Sequence, residues 1–315
     1  MPDEHASARP GDPTDLHIER LTDSPDDLGE SPLWDPREDC LWWIDGVAGQ
    51  VRRKYLQRGR WSATESFEFD EHVGSIALRA EGGLVIALEH SIIGWNPDAG
   101  DLTMLLADAL TDQRLRLNDG KTDRQGRFVC GGMGRELEPL APLLQLNVHG
   151  QVRVLATGLK VSNGICFSPD GRSLYFADTP ARTLCTCDYD PATGVASEAR
   201  VLIDCSALGT GIDGATVDDQ GRLWAALVRI GEIGCFAPDG RLLARYPAPV
   251  DLPSGLAFGG RDMRTLFLTS IRDSRTGRTV SRHPLGGHLF AIEGLDARGI
   301  LETPFGADTG AAQSA

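Results

Sequence analysis

Short apolar runs separated by polar turn residues recur along the whole chain, and this spacing is its first structural signal. The clearest run is Leu174-Tyr-Phe-Ala-Asp178, which follows the turn Ser168-Pro-Asp-Gly171. Comparable runs begin at Leu41, Leu84, Phe128, Leu223 and Leu266, so six copies stand 43 to 49 residues apart. Each is preceded by turn residues, among them Glu81-Gly82-Gly83, Gln125-Gly126 and Gln220-Gly221, and is followed by another strand candidate. Helical periodicity is nearly absent. Regular short strands with a period in the forties predict an all-β fold, a six-bladed β-propeller of four-stranded blades. The copies fill the chain after residue 16, which predicts a single propeller domain over 16–305, a disordered polar lead-in over 1–15 and a frayed tail over 306–315. A strand near His17–Leu21 is expected to close the ring beside the run Gly287–Ile292, because closure removes sheet edges.

Composition narrows the function classes. The chain has 315 residues and a formal net charge of −14, the opposite of the basic footprint that nucleic-acid binding needs, and it gives no attraction to an anionic membrane surface. No apolar run approaches the length of a membrane span. The acidic start has neither a basic region nor an apolar core of the kind found in secretory signals, and the seven cysteines are odd in number. Both features point to reduced thiols and a cytoplasmic protein. Histidines are scattered with no HExxH pattern, and Cys185-Thr-Cys187 does not have CxxC spacing. Trp42, Trp43 and Trp224 lie within the repeated strands and are expected to pack the blades.

The candidate chemistry comes from phase. Ten or eleven residues before each repeated strand stand Glu30, Gly74, Asn118, Asn163, Asp213 and the pair Ser254-Gly255. Equivalent positions in successive blades fall on one ring about the propeller axis, so these side chains would converge on one mouth of the channel. Most carry a carboxylate or carboxamide, and an oxygen ring of that kind suits a hard divalent cation. Asn-Gly and Asp-Gly are also common hairpin-turn pairs, which explains any one of them alone, but Glu30 has no such turn preference. His72 shares this phase, and Asp119 adjoins Asn118; both are further candidates for the site. Lys121 is expected to pair on the surface.

Gly29-Glu30-Ser-Pro-Leu-Trp34, Arg116-Leu-Asn118-Asp-Gly-Lys121, Val161-Ser-Asn163-Gly164, Asp213-Gly214 with Gly221-Arg-Leu-Trp-Ala225, and Ala257-Phe-Gly-Gly260 resemble the regucalcin/gluconolactonase (senescence-marker-protein) family of sugar lactonases. The resemblance runs from about Leu28 to Glu293 and implies a six-bladed propeller that hydrolyses a sugar lactone with one divalent metal ion. It implies Glu30, Asn163 and Asp213 as metal ligands, with Asp213 also the general acid/base, and Arg116 and Asn118 as substrate contacts. Glu136 follows the Gly131-Gly-Met133 motif where the family places a substrate-binding glutamate, with Glu138 as its competitor. An all-oxygen set is compatible with calcium, magnesium or manganese, and zinc also accepts carboxylates. Two other function classes remain open at this point. One is a calcium-binding or scaffold propeller without catalysis. The other is a propeller esterase or organophosphate hydrolase relying on a mouth histidine, for which His72 is the candidate. Oligomeric state, and which sugar, stay open.

Overall fold

The structure is a computed structural model that describes residues 16–307. The expected lead-in over 1–15 and residues 308–315 of the expected tail lie outside the described residues; the first two residues of that tail, Gly306 and Ala307, donate their backbone N–H groups to Gly126 and Pro304. Six antiparallel sheets stand around a central axis, and each begins with its innermost strand. Those strands are Gly29–Asp35, Ser75–Leu78, Leu115–Thr122, Ser162–Phe167, Ile212–Val217 and Pro253–Gly259. The six repeated runs all become the second strand of a blade: Cys40–Asp45, Leu84–Ala87, Phe128–Gly134, Ser173–Asp178, Leu223–Leu227 and Thr265–Ser270. These strands are buried on both faces, which is why they read as unbroken apolar runs rather than as alternation. In the first and fourth blades the outermost strand is split into two short pieces. His17–Arg20 pairs with Phe290–Glu293 and completes the sixth blade, so the two ends of the chain close the ring as expected.

The core fills the spaces between facing blades. Trp43 and Trp224 are fully buried, and each uses its indole N–H on a carboxylate, Trp43 on Asp26 and Trp224 on Asp218, both at 2.9 Å. Trp34 stacks on Phe267 across the boundary between the first and last blades, with centroids 5.9 Å apart. All seven cysteines are free, and all but Cys185 are buried.

At one end the channel is covered by the chain itself. After the last blade strand, Gly299 bridges to Asp218, the Thr303 carbonyl accepts from Thr122 Oγ1 at 2.5 Å, and Phe305 docks beside Leu78. Lys121 pairs with Glu302 at 3.0 Å along this path. The pair lines the channel instead of lying on the surface as its sequence context suggests, because the C-terminal segment crosses beneath it. Access to the axis is therefore from the opposite mouth.

A repeated irregularity shapes that mouth. In five of the six blades the pairing of the first two strands slips by one residue at the same place: after Glu30, Leu117, Asn163, Ile212 and Pro253. The second blade pairs in regular register. Each slip is a β-bulge, which locally kinks the strand and re-aims its side chains. Asn163-Gly164 and Asp213-Gly214 are thus bulges within strands and not hairpin turns, so the turn explanation of these dipeptides does not hold. Their glycines serve close packing around the axis. A Cβ on Gly214 would stand 2.7 Å from the Ser254 carbonyl oxygen in the next blade, and one on Gly164, at φ +57°, would stand 3.0 Å from that of Asp213. Gly214→Ala is expected to lower stability by about 1–3 kcal/mol by forcing two inner strands apart. Its urea midpoint should fall relative to wild type; an unchanged midpoint would show that the strands yield freely.

Candidate active site

Four residues singled out by phase and motif form one hydrogen-bonded chain across three consecutive blades. Arg116 Nη1 donates to Asn118 Oδ1 at 2.8 Å. Asn118 Nδ2 donates to Asn163 Oδ1 at 2.7 Å, and Asn163 Nδ2 donates to Asp213 Oδ1 at 2.7 Å. All four side chains are buried. Around them the backbone is fixed by local devices. Asn118 Nδ2 also reaches the Ser162 carbonyl at 3.0 Å, and Asn163 Nδ2 reaches Thr179 Oγ1 at 2.9 Å, itself bonded to the Ile212 carbonyl at 2.6 Å. Asp45 and Asp178 end equivalent strands and accept backbone N–H groups just ahead of the inner strands, those of Asp27 and Leu28 and those of Lys160 and Val161. They thereby hold the start of the strands that carry Glu30 and Asn163.

Glu30 projects from the first blade, on the far side of the ring from Asn163. Together with Asn163 and Asp213 it lines two cavities. One is the channel, which runs down past Asp119 to Lys121 and Glu302. The other is the open mouth, of about 170 Å³, walled by Arg116, Asn118, Met133, Val161 and Ile271. The three residues are thus the floor of one space and the roof of the other.

Electrostatics make this floor unfavourable to two negative charges, even with Arg116 and Arg229 nearby. Burial, then repulsion from Asp213, holds the Glu30 carboxyl well above the usual range. Burial and Asp119 raise Asp213 in the same way. Asp119 is itself raised by burial, although it accepts the N–H groups of Gly120 and Ile165. Among the described residues neither oxygen of Glu30 and only Oδ1 of Asp213 has a hydrogen-bond donor, and neither carboxylate is in an ion pair. A divalent cation fits this arrangement: two carboxylates and a carboxamide supply hard oxygen donors, and the ion supplies the missing charge. Among the described residues no three His, Cys, Asp or Glu side chains converge as a metal cluster. Burial depresses Arg116 to about 10, which leaves it cationic at neutral pH.

The other candidates take different places. Asp119 lines the channel below the floor and ties down the bulge that follows Asn163. Glu136 is exposed at the rim, where it accepts from Arg278 Nη2 at 2.5 Å, and Glu138 Oε2 accepts its backbone N–H at 3.0 Å. His72 is among the lining residues of neither cavity. It precedes the one inner strand without a bulge, and among the described residues both ring nitrogens lack a partner. Burial, with help from Arg116 and Arg135, lowers its pKa to about 2. A histidine depressed in the folded state stays neutral there while the unfolded chain takes up a proton below about pH 6.5, so stability is full above that pH and is lost as pH falls. His72→Leu is expected to weaken this dependence. Between pH 7 and pH 5 wild type should lose about 2 kcal/mol more than the variant in urea titrations. Equal losses would mean that the ring is hydrated or paired in solution.

Sequence reasoning missed Arg229 and Arg278, which also line the mouth. Both lie in connections after a second strand, outside the repeated phase, and carry no motif.

The model of the SMP-30/Gluconolactonase/LRE-like region matches residues 28–272. The chain belongs to this family. A 6-deoxy-6-sulfogluconolactonase of Pseudomonas putida is 35% identical over 89% of this chain and 96% of its own length. Regucalcin of Xenopus laevis is 29% identical over 92% and 98%. Among solved structures, the calcium-binding protein regucalcin of Agrobacterium tumefaciens superposes with a TM-score of 0.83 at 27% identity, covering 91% of this chain and 96% of that one. The family match covers all three floor residues as well as Arg116 and Asn118.

Proposed function

We propose that this protein hydrolyses a sugar lactone to its open-chain aldonic acid, with one divalent cation held by Glu30, Asn163 and Asp213. The observation that carries the reading is the shared floor at the base of an open mouth: half-buried Glu30 and buried Asp213, neither of them in an ion pair, beside the Asn163 carboxamide, with Asp213 and Asn163 hydrogen-bonded in line with Asn118 and Arg116. Held by Glu30, Asn163 and Asp213, a divalent ion would polarise the lactone carbonyl and acidify water. The chain's own residues do the rest. Asp213 Oδ1 is held by Asn163, leaving Oδ2 to take a proton from the attacking water as its oxygen adds to the carbonyl carbon. That proton passes to the ring oxygen as the C–O bond breaks, which leaves the hydroxy acid. Arg116 and Asn118 orient the ring by directional hydrogen bonds, and Met133, Val161 and Ile271 offer its C–H face an apolar wall. Asp119 keeps the bulge of the fourth blade in place, and Glu136 acts at the rim with Arg278. The free cysteines accord with a reducing, cytoplasmic setting.

Hydrolysis of an aldonolactone panel, followed with a pH indicator before and after chelation and with each of calcium, magnesium, manganese and zinc restored, tests the reading. Turnover of at least one lactone, lost to chelator and recovered with metal, is expected. A folded protein that binds a cation and turns over no lactone would favour the second reading, a cation-binding propeller without catalysis, to which the calcium-binding relative lends weight. The esterase reading is weakened because its one histidine faces neither cavity.

A further inference from the structure

The mouth carries more positive charge than opening a neutral lactone requires. Its lining includes three arginines, Arg116, Arg229 and Arg278, and two carboxylates, Glu30 and Asp213. Once a divalent ion offsets those carboxylates, all three guanidinium charges remain, on a protein whose net charge is −14. Arg116 is engaged with the Leu117 carbonyl and Asn118. Among the described residues the Arg229 side chain has neither a hydrogen-bond partner nor an ion-pair partner; it is exposed at the mouth and is related to the floor only by a longer-range attraction to Asp213.

Arg278 is brought there by a structure special to one blade. The connection between the second and third strands of the sixth blade runs from 271 to 289, whereas the same connection in the other five blades takes four to six residues. This long connection supplies Ser274, Thr276, Arg278 and Thr279 to the mouth. It is fastened at its base, where Arg272 and Arg275 both pair with Asp27, and at its tip, where Arg278 reaches the Arg135 carbonyl at 3.0 Å and Glu136. Residues 135 and 136 belong to the third blade, which faces the sixth across the ring. The guanidinium of Arg278 is therefore held over the opening from two opposite sides. Its pair with Glu136 is exposed, and exposed pairs contribute little, so an incoming anion can share or displace it.

We propose that the mouth selects a lactone bearing a second, anionic group, a sulfonate, phosphate or carboxylate, and that Arg229 and Arg278 bind that group. The proposal rests on the lactonase reading for what happens at the floor. The chemistry at the rim stands apart from it: a guanidinium presents paired N–H donors to two oxygens of an oxyanion, a match that a sugar hydroxyl does not make. An arginine serving the reacting carbonyl or the new carboxylate would act on charged and neutral substrates alike, which separates that role from the one proposed.

Two measurements test it on the metal-loaded protein. Calorimetric binding of 6-phosphogluconate, 6-deoxy-6-sulfogluconate and glucarate is compared with that of gluconate, none of which needs turnover. At least one of these three should bind tenfold or more tighter than gluconate, and Arg229→Gln or Arg278→Gln should abolish the difference; which probe binds best distinguishes the three oxyanions. In kinetics, kcat/KM for the matching charged lactone should exceed that for gluconolactone by a hundredfold or more, and either variant should reduce that ratio at least tenfold, with Arg229→Lys restoring part of it. A ratio near one in wild type, or variants that lower both substrates equally, overturns the proposal. Discrimination among the acids without hydrolysis of any lactone would keep the anion site and remove the lactonase reading. Hydrolysis without discrimination would do the reverse.

Discussion

Asp213→Asn is expected to lower lactone hydrolysis by about three orders of magnitude or more, because one side chain is asked both to complete the cation site and to move the proton. The substitution keeps the volume of a buried residue and an oxygen for the Asn163 amide, so the hydrogen-bonded chain from Arg116 has little cause to rearrange. Its effect on stability should have the opposite sign. Asp213 is buried and repelled by Asp119, and it raises Glu30 in turn. Above about pH 8, where Asp213 is ionised in the metal-free protein, neutralising it removes a like charge from the floor. The metal-free variant should therefore melt above metal-free wild type, the pattern expected where function holds charges together at the expense of stability. Heat resistance with activity lost assigns Asp213 to the chemistry. A folded variant that keeps turnover would remove it from the mechanism.

How much of this could be read from the chain depends on which residues share the repeat. The second strand of every blade is buried on both faces, so six apolar runs stand out and fix the blade count. Glu30, Asn118, Asn163 and Asp213 were legible because they keep a nearly constant distance, ten or eleven residues, from those runs. The bulges that aim them inward were not, since an extra residue in a strand looks like a turn when its residues are Asn-Gly or Asp-Gly. The same lapse explains His72. It has nearly the right phase, but its blade pairs without a bulge, and nothing turns the ring toward the axis. Lys121 looked like a surface residue because its partner, Glu302, is 181 positions away and only the closing C-terminal segment brings them together. Arg229 and Arg278 lie in connections, where spacing carries no phase information, and Arg278 reaches the mouth only because its connection is several times longer than the rest.

Chelation is expected to reduce hydrolysis at least about a hundredfold and to lower the melting temperature by about 5 °C relative to protein saturated at roughly a hundred times its dissociation constant. The reasoning starts from the carboxylates and not from the reaction. Glu30 and Asp213 share the floor, where burial and neighbouring carboxylates oppose their charge more than Arg116 favours that of Glu30 and Arg229 that of Asp213, and neither is in an ion pair among the described residues. A cation bound there converts repulsion into attraction in the folded state only, because Glu30 and Asp213 lie far apart along the chain and no preformed site survives unfolding. The added stability therefore follows the free metal concentration and should vanish in Glu30→Gln, which keeps the side chain's shape but supplies one charge fewer. Melting curves for wild type and Glu30→Gln across a metal titration, read beside turnover on the same samples, test both halves. Stability that rises with metal in wild type alone, in step with activity, places the ion at Glu30. An equal rise in both proteins would put the ion elsewhere, and turnover indifferent to chelation would mean that the floor works through Asp213 and Arg116 without a metal.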